Sequence, residues 1–189
     1  MKIDADNITA QRKPCSETLE TLNRQAHFLA QDLISYRTGN GRISTSLTAR
    51  NMRRLSDELE ERHGPLLCNM CNSLNMTANS AHEKFVQVAD EVFKDGINWG
   101  RIVAVFTFGG RLAQFCARNG LHDGVREVEA WLGDYIANLS HWIQTQGGWD
   151  TFNTHFQDPT QTEKRWWTGL VLATLGIGTM ATVVYQSCS

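Results

Sequence analysis

The stretch Ile102–Phe108 reads IVAVFTF and continues through Gly109 and Gly110 to Arg118. Apart from one threonine it is apolar on every side, and a helix that is apolar all round must be buried centrally or enter a membrane. Together with its continuation the run is too long for a strand, so the pattern predicts a helix. We therefore expect a fold built around one hydrophobic helix at residues 99–118.

The composition of the whole chain is that of a globular protein. Its 189 residues are 41% hydrophobic and 20% charged, and this length predicts one domain with a full core. The net charge is −2, from 18 Lys and Arg against 20 Asp and Glu. A nucleic-acid binder needs a basic excess to neutralise phosphates, so this balance argues against that class. Every one of these charged residues lies at or before Arg165.

Amphipathic patterns on both sides of the central run predict further helices. Apolar residues recur there at spacings of three and four, as on one face of a helix. The segments are 17–37, 47–59, 80–93 and 125–142, followed by one or two turns at 149–156. The alternating pattern of a strand does not occur. The prediction is an all-α bundle of seven to eight helices around the central one.

Several residues indicate where these helices begin and end. Ser16 is the predicted N-cap of the first helix, and Gly39 is its predicted stop signal. The pair Gly64-Pro65 is predicted to interrupt the second helix, because proline lacks an N–H and disfavours helix in the residue before it. The composition of residues 38–46 predicts a short loop.

The uncharged C-terminal tail predicts a membrane anchor at residues 166–185. Thr168–Tyr185 contains 18 residues without a charge, and a helix of that length spans about 27 Å, close to the hydrocarbon core of a bilayer. Trp166 and Trp167 stand just before it, where aromatic rings prefer the membrane interface. The alternative is a buried C-terminal helix, since four threonines and three glycines make the segment only moderately apolar.

The anchor implies a domain layout and an orientation. Residues 1–157 form the predicted helical domain, 158–165 a linker and 166–185 the transmembrane helix. Lys164 and Arg165 precede the anchor, so the positive-inside rule places the domain on the cytoplasmic side.

The cysteines give a weak signal for metal or redox chemistry. Cys68 and Cys71 have CxxC spacing, but no second CxxC or histidine pair accompanies them. The two sulfurs are as well explained as small apolar groups on a helix. The sequence also lacks a Walker A loop, a GxSxG elbow and an HExxH motif. We predict no cofactor, no metal and no enzymatic activity.

Two strings carry a family resemblance. Asp95–Ala104 reads DGINWGRIVA and Trp142–Phe152 reads WIQTQGGWDTF; they resemble the BH1 and BH2 motifs of the Bcl-2 family of apoptosis regulators. Leu22–Gly39 resembles the BH4 helix of that family, and Met52–Leu59 (MRRLSDEL) resembles its BH3 pattern. With the predicted anchor, the resemblance covers nearly the whole chain in the family's order. It implies a Bcl-2-like helical bundle.

The resemblance implies a binding protein that takes an amphipathic BH3 helix into a surface groove. The implied partners are BH3-only proteins and Bax/Bak-type effectors, with a membrane and no nucleic acid. The implied role is pro-survival, restraining permeabilisation of the mitochondrial outer membrane. The alternative is a pore-forming effector of the same family. The segment Gly110-Arg111-Leu112-Ala113 within the central helix resembles the sequence of such effectors. The implied location is the cytoplasmic face of the mitochondrial outer membrane or the endoplasmic reticulum.

Within the family, the short 38–46 loop and the string FLAQDLISYRTG favour the small pro-survival branch that includes Boo/Diva. The string MRRLSDELEERH favours the same branch. The BH3-like segment has Ser56 at the small position, where Gly or Ala is commoner, and Thr48 at its first apolar position. These departures imply that the segment is groove scaffold rather than a death ligand.

The resemblance makes Arg101 the implied receptor for the partner. A BH3 helix presents an Asp, and a planar guanidinium can hold that carboxylate through two N–H bonds. Arg101 is expected to project from the solvated end of the central helix. The alternative is a salt bridge within the chain, to Asp95 or Glu91. Gly100 would let the partner's small residue approach the backbone, and Asn98 would cap the helix and bond the partner.

Other positions match the lining of the family's groove, and their alternative interpretation is ordinary core. His63 stands where an aromatic residue is common and is expected to make that end more polar. Trp99 and Trp149 are expected to be structural. The predicted lining is Leu59, His63, Leu67, Met70, Val88, Glu91, Val92, Val103 and Phe108.

Overall fold

The structure, a computed structural model, describes residues 17–73 and 81–157, and its regular structure in these ranges is entirely helical. The all-α prediction is therefore confirmed for this part of the chain. The helices within these ranges are α1 (Leu19–Thr38), α2 (Leu47–Ser73), α3 (Ala81–Phe93), α4 (Trp99–Arg118), α5 (His122–Ala137), α6 (Ser140–Thr145) and α7 (Gly148–His155).

Helix α4 is the buried centre of the fold. Every residue from Trp99 to Gly110 is buried, and α1, α2, α3 and α5 all pack against this helix. Its one buried hydroxyl is satisfied locally, because Thr107 Oγ1 donates to the carbonyl of Val103 at 2.8 Å. The predicted central helix is confirmed with the predicted boundaries.

Two glycines let neighbouring helices approach α4 closely. A Cβ built on Gly109 would lie 2.9 Å from Leu132 Cδ2 of α5. A Cβ built on Gly110 would lie 3.1 Å from Arg37 Cγ of α1. Since real Cβ contacts are rarely this short, a side chain at either position would force a neighbour to move. The double glycine thus serves helix packing rather than a turn.

Of the three capping residues considered first, two follow the prediction and one does not. Asn98 caps α4, its side chain accepting from Arg101 N at 2.8 Å, as predicted. Gly39 ends α1 in the left-handed region at φ 70°, also as predicted. The assignment of Ser16 as the N-cap of α1 is wrong: Thr18 accepts from Thr21 N at 3.2 Å. Ser16 itself lies outside the described residues.

The predicted interruption of α2 at Gly64-Pro65 is wrong, because the helix runs through Pro65. Proline inside a helix removes one hydrogen bond and costs about 3 kcal/mol. Leu59, Leu67 and Cys71 nevertheless continue the helical spacing across it, and all three are buried. Their packing outweighs the local penalty.

The single helix predicted over 125–142 is also wrong, because α5 ends at Ala137 and α6 begins at Ser140. The chain tightens between them, where Leu139 N bonds the carbonyl of Ile136, three residues back, at 3.0 Å. Apolar residues keep their helical spacing on both sides of this turn, so the sequence pattern does not reveal it.

The predicted linker at 158–165 and anchor at 166–185 lie outside the described residues. Within the ranges that are described, no helix is both long and apolar enough to cross a membrane.

Candidate binding site

The predicted lining comes from α2, α3 and the first half of α4, and the structure brings the apolar members whose side chains it describes into one cluster. They are all buried, which agrees with the core interpretation, and their exposure to a partner stays a prediction. The clustered residues are Leu59, Leu67, Val88, Val92, Val103 and Phe108.

Three further lining positions behave differently. His63 is half-buried on α2. Met70 lies on the same helix, but its side chain is outside the described residues. Glu91 is half-buried on α3, and its Oε1 lies 3.4 Å from the Nζ of Lys94. Of the two carboxylates considered as partners of Arg101, Glu91 is therefore engaged elsewhere.

Arg101 lies in the first turn of α4 and is only 9% exposed, so the expectation that it projects into solvent is wrong. Its Nη1 donates to the carbonyl of Gly96 at 2.6 Å. Its Nη2 lies 3.5 Å from Oδ2 of Asp95, which realises the intrachain salt bridge considered as the alternative. The reason is local: Gly96 has φ 106°, and the chain before Asn98 turns its carbonyl toward the guanidinium.

One edge of this guanidinium is lightly used. Among the described residues, the buried Nε of Arg101 has no hydrogen-bond partner. Nε and Nη2 form the planar edge through which arginine holds a carboxylate bidentately. Asp95 reaches that edge at 3.5 Å, beyond the usual range of an N–H···O bond, and its side chain is 78% exposed. A better-placed carboxylate could make two bonds there.

Trp99 has a structural role, as expected, and joins the two resembling strings. It is buried, with its ring centroid 5.0 Å from that of Trp142 in α6 and 5.7 Å from that of Trp149 in α7. Phe152 packs against Trp99 at 5.5 Å in an edge-on arrangement. This aromatic cluster fixes the start of α4, including Gly100 and Arg101, against α6 and α7.

The CxxC pair lies on α2 with Cys71 in the core. Burial raises the pKa of the Cys71 thiol to about 12, so the sulfur stays protonated at neutral pH and is a poor nucleophile. This supports the interpretation of Cys71 as a small apolar core residue.

Sequence reasoning missed a polar cluster that holds the BH3-like segment. Ser56 is fully buried, and its Oγ lies 2.7 Å from Nη2 of Arg37. Asp57 binds Nη1 of Arg37 through one oxygen at 3.0 Å and accepts from Tyr36 Oη through the other at 2.8 Å. Both donors belong to the last turn of α1.

A second ion pair of the same cluster lies deeper. Asp32 of α1 pairs with Arg53 of α2, with side chains that are 3% and 10% exposed. The backbone N–H of Ser44 also donates to Asp32, and Arg53 Nη2 donates to the carbonyl of Ser44 at 2.8 Å. The sequence signal for this pair was Asp32, a carboxylate within the apolar stripe of α1, because a buried charge needs a partner. We call Asp32, Tyr36, Arg37, Arg53, Ser56 and Asp57 the α1–α2 clamp.

Comparison with known proteins places the chain in a family. The family model for "Apoptosis regulator proteins, Bcl-2 family" matches residues 52–149, just over half of the chain. Rat Bcl-2-like protein 1 is 32% identical over 168 residues, covering 82% of this chain and 71% of the relative. Human Bcl-2-like protein 1 is 37% identical over 115 residues. That match covers 60% of this chain and about half, 49%, of the human protein.

Solved structures of similar fold include two complexes with BH3 segments. Trichoplax adhaerens trBcl-2L2 bound to trBak BH3 superposes with a TM-score of 0.67 at 32% identity, covering 71% of this chain and 99% of that one. The zebrafish pro-survival protein NRZ, in complex with Bad BH3, gives a TM-score of 0.67 at 30% identity, covering 73% and 96%. The chain belongs to the Bcl-2 family of apoptosis regulators.

Proposed function

We propose that this protein is a pro-survival regulator that sequesters BH3 helices of pro-apoptotic proteins and so restrains mitochondrial outer-membrane permeabilisation. The observation that carries the proposal is Arg101, a nearly buried guanidinium whose Nε–Nη2 edge is lightly used. The similar proteins bound to Bak and Bad BH3 segments support the same class of partner.

The surroundings of Arg101 suit such a ligand. An amphipathic helix needs an apolar surface for its anchors at helical spacing and, for an acidic BH3 helix, one cation at the edge. Helices α2, α3 and α4 contribute the apolar cluster, which the proposal requires to become accessible to the partner, and Arg101 lies at the start of α4. Gly100 adjoins it without a side chain, which favours close approach of a small partner residue. The proposed role is binding, without catalysis.

A pro-survival role is supported by the zebrafish neighbour, which is itself described as a pro-survival protein. The alternative is a pore-forming effector. It is favoured by α4, in which every residue from Trp99 to Gly110 is buried, because a helix that is apolar on all sides is also able to enter a membrane. Assignment to the small pro-survival branch stays a prediction.

Peptide titration tests the proposed site. Arg101→Ala should weaken binding of a Bad BH3 peptide by about thirtyfold or more, since truncating one partner of a desolvated charge pair costs about 2–5 kcal/mol. Gly100→Glu should abolish binding by filling the contact with a charged side chain. Isothermal titration calorimetry measures both, with circular dichroism to verify the fold.

Arg118→Ala is the matched control, because Arg118 is an exposed arginine in the last turn of the same helix. It changes the net charge equally and should leave the affinity unaltered. Unchanged affinity in both Arg101→Ala and Gly100→Glu would refute the groove assignment.

Expression in cells separates the two roles. The full chain should reduce killing by a death stimulus, because a sequestered BH3 helix cannot activate its target. We place it on the cytoplasmic face of the mitochondrial outer membrane or endoplasmic reticulum, anchored by residues 166–185. A fluorescent fusion to residues 160–189 should show that distribution. Increased killing by the full chain would instead establish the effector role.

A further inference from the structure

We propose that Asp95 is an internal competitor for the partner's carboxylate at Arg101, and that the carbonyl of Gly96 holds the guanidinium ready for either one. This inference rests on the proposed function and concerns how the same site selects its ligand. It makes Asp95 a specificity-determining residue and Gly96 a positioning residue.

The Gly96 carbonyl holds one end of the guanidinium without blocking the other. It accepts from Nη1 at 2.6 Å, which leaves the Nε–Nη2 edge for a carboxylate. The backbone at Gly96 has φ 106°, a conformation that only glycine adopts easily. A Cβ built there would meet nothing within 4 Å. Glycine is therefore required for the backbone conformation and not for space. In that conformation the carbonyl of Gly96 points at Arg101.

Asp95 occupies the other edge loosely. Its Oδ2 lies 3.5 Å from Nη2, and its side chain is 78% exposed. A loose ion pair whose carboxylate is exposed changes an equilibrium by at most about fivefold. Nε has no partner among the described residues even with Asp95 in place. Asp95 thus neutralises the arginine in the free protein without saturating it.

An incoming carboxylate that bonds both Nε and Nη2 displaces Asp95 into water. Because the two carboxylates are alike in charge and share one guanidinium, the gain from the partner's Asp is reduced by the contact it replaces. A ligand with an amide in place of the carboxylate depends less on the charge of the Nε–Nη2 edge of Arg101. A partner's carboxylate must therefore bind Arg101 more strongly than Asp95 does. A carboxylate that bonds both Nε and Nη2 meets this condition, and one that cannot reach both nitrogens does not.

The test uses the full chain and two synthetic peptides: Bad BH3 and the same peptide with its Asp replaced by Asn. Asp95→Asn should tighten binding of the acidic peptide about two- to fivefold, the range of an exposed ion pair. It should leave the amide peptide unchanged. The gain should shrink as salt is added, because the carboxylate of Asp95 is exposed and salt screens its charge.

Asp123→Asn is the charge-matched control. Asp123 is an exposed carboxylate in the first turn of α5, so its loss reports any general effect of net charge. Equal tightening with both peptides, or in both variants, would overturn the competitor role, as would unchanged or weaker binding of the acidic peptide by Asp95→Asn.

Gly96→Ala tests the carbonyl. We expect it to weaken the acidic peptide by more than it weakens the amide peptide, because a misdirected carbonyl frees the guanidinium. Equal losses would mean a merely structural role.

The two proposals fail in distinguishable ways. If the wild type binds neither peptide, the proposed function falls and this inference falls with it. If Arg101→Ala loses the acidic peptide while Asp95→Asn binds it like the wild type, only the inference is wrong.

Discussion

The α1–α2 clamp and the start of α4 both pair an arginine with an aspartate, but the contact is close in the clamp and loose at the start of α4. In the clamp, Asp57 contacts Arg37 at 3.0 Å and Tyr36 at 2.8 Å, one on each carboxylate oxygen. At the start of α4, Arg101 meets a carboxylate only at 3.5 Å, from the exposed Asp95. In the first arrangement the carboxylate is held closely within the chain, whereas in the second the guanidinium has an edge that the proposed partner would use.

An unpaired nitrogen does not by itself distinguish Arg101 from other arginines. The Nε of Arg37 also lacks a hydrogen-bond partner among the described residues. That atom, however, faces α4, where a Cβ built on Gly110 would lie 3.8 Å away. The side chain of Arg37 is therefore packed against α4. What distinguishes Arg101 is that the carboxylate at its Nε–Nη2 edge, that of Asp95, is loosely held and exposed.

The comparison also bears on the BH3-like segment. Its small residue, Ser56, and its acid, Asp57, are both bound by the last turn of α1. For Asp57 to reach an arginine of another protein, Tyr36 and Arg37 would first have to release it. These contacts support the interpretation of the segment as scaffold.

The largest expected difference is in stability. Arg53→Ala leaves the carboxylate of Asp32 buried without its cation, which costs about 3–5 kcal/mol. Arg101→Ala should cost less, about 2 kcal/mol, because it removes one hydrogen bond from a charged donor to the carbonyl of Gly96 and a loose pair with the exposed Asp95. Urea unfolding of both variants gives the two free energies.

Equal costs for the two variants would break the comparison, since Arg101 would then be as structural as Arg53. A low cost for Arg101→Ala also has a practical consequence. The variant stays folded, so any affinity that it loses belongs to the site.

The sequence predicted the fold where apolar spacing decides it. The central helix and its cap at Asn98 follow from the IVAVFTF run and from one amide side chain. The errors arise where tertiary packing overrides a local signal, as at Pro65, whose helix continues because Leu67 and Cys71 are buried beyond it. They also arise where a break leaves the spacing intact, as between Ala137 and Ser140.

For the candidate site, the resemblance predicts that Arg101 is the central residue, but it did not reveal the environment of Arg101. The Gly96 carbonyl is a backbone acceptor, and no pattern of side chains indicates where a carbonyl points. The clamp was missed for a related reason. Tyr36 and Asp57 lie on different helices, and their contact depends on how α1 and α2 pack.

The smallest expected effect is on the alkaline titration of Tyr36. It tests how closely the α1–α2 clamp holds Asp57. The hydrogen bond to Asp57 raises the pKa of Tyr36 above its ordinary value of 10.0, with a further contribution from burial. The neutral phenol donates to the carboxylate and the phenolate cannot. Because the folded pKa is the higher one, this stabilisation is fully present below pH 10.0 and is lost as the pH rises through the folded pKa.

The difference in phenolate absorbance between the wild type and Tyr36→Phe isolates this residue from Tyr135, whose pKa is also raised, chiefly by burial. Asp57→Asn should return the pKa of Tyr36 toward its ordinary value, because the amide removes the negative charge that disfavours the phenolate. Asp95→Asn, at the other region, should leave it unchanged. A Tyr36 that ionises at its ordinary pKa in the wild type would mean that the clamp is open in solution, and that Asp57 is as loosely held as Asp95.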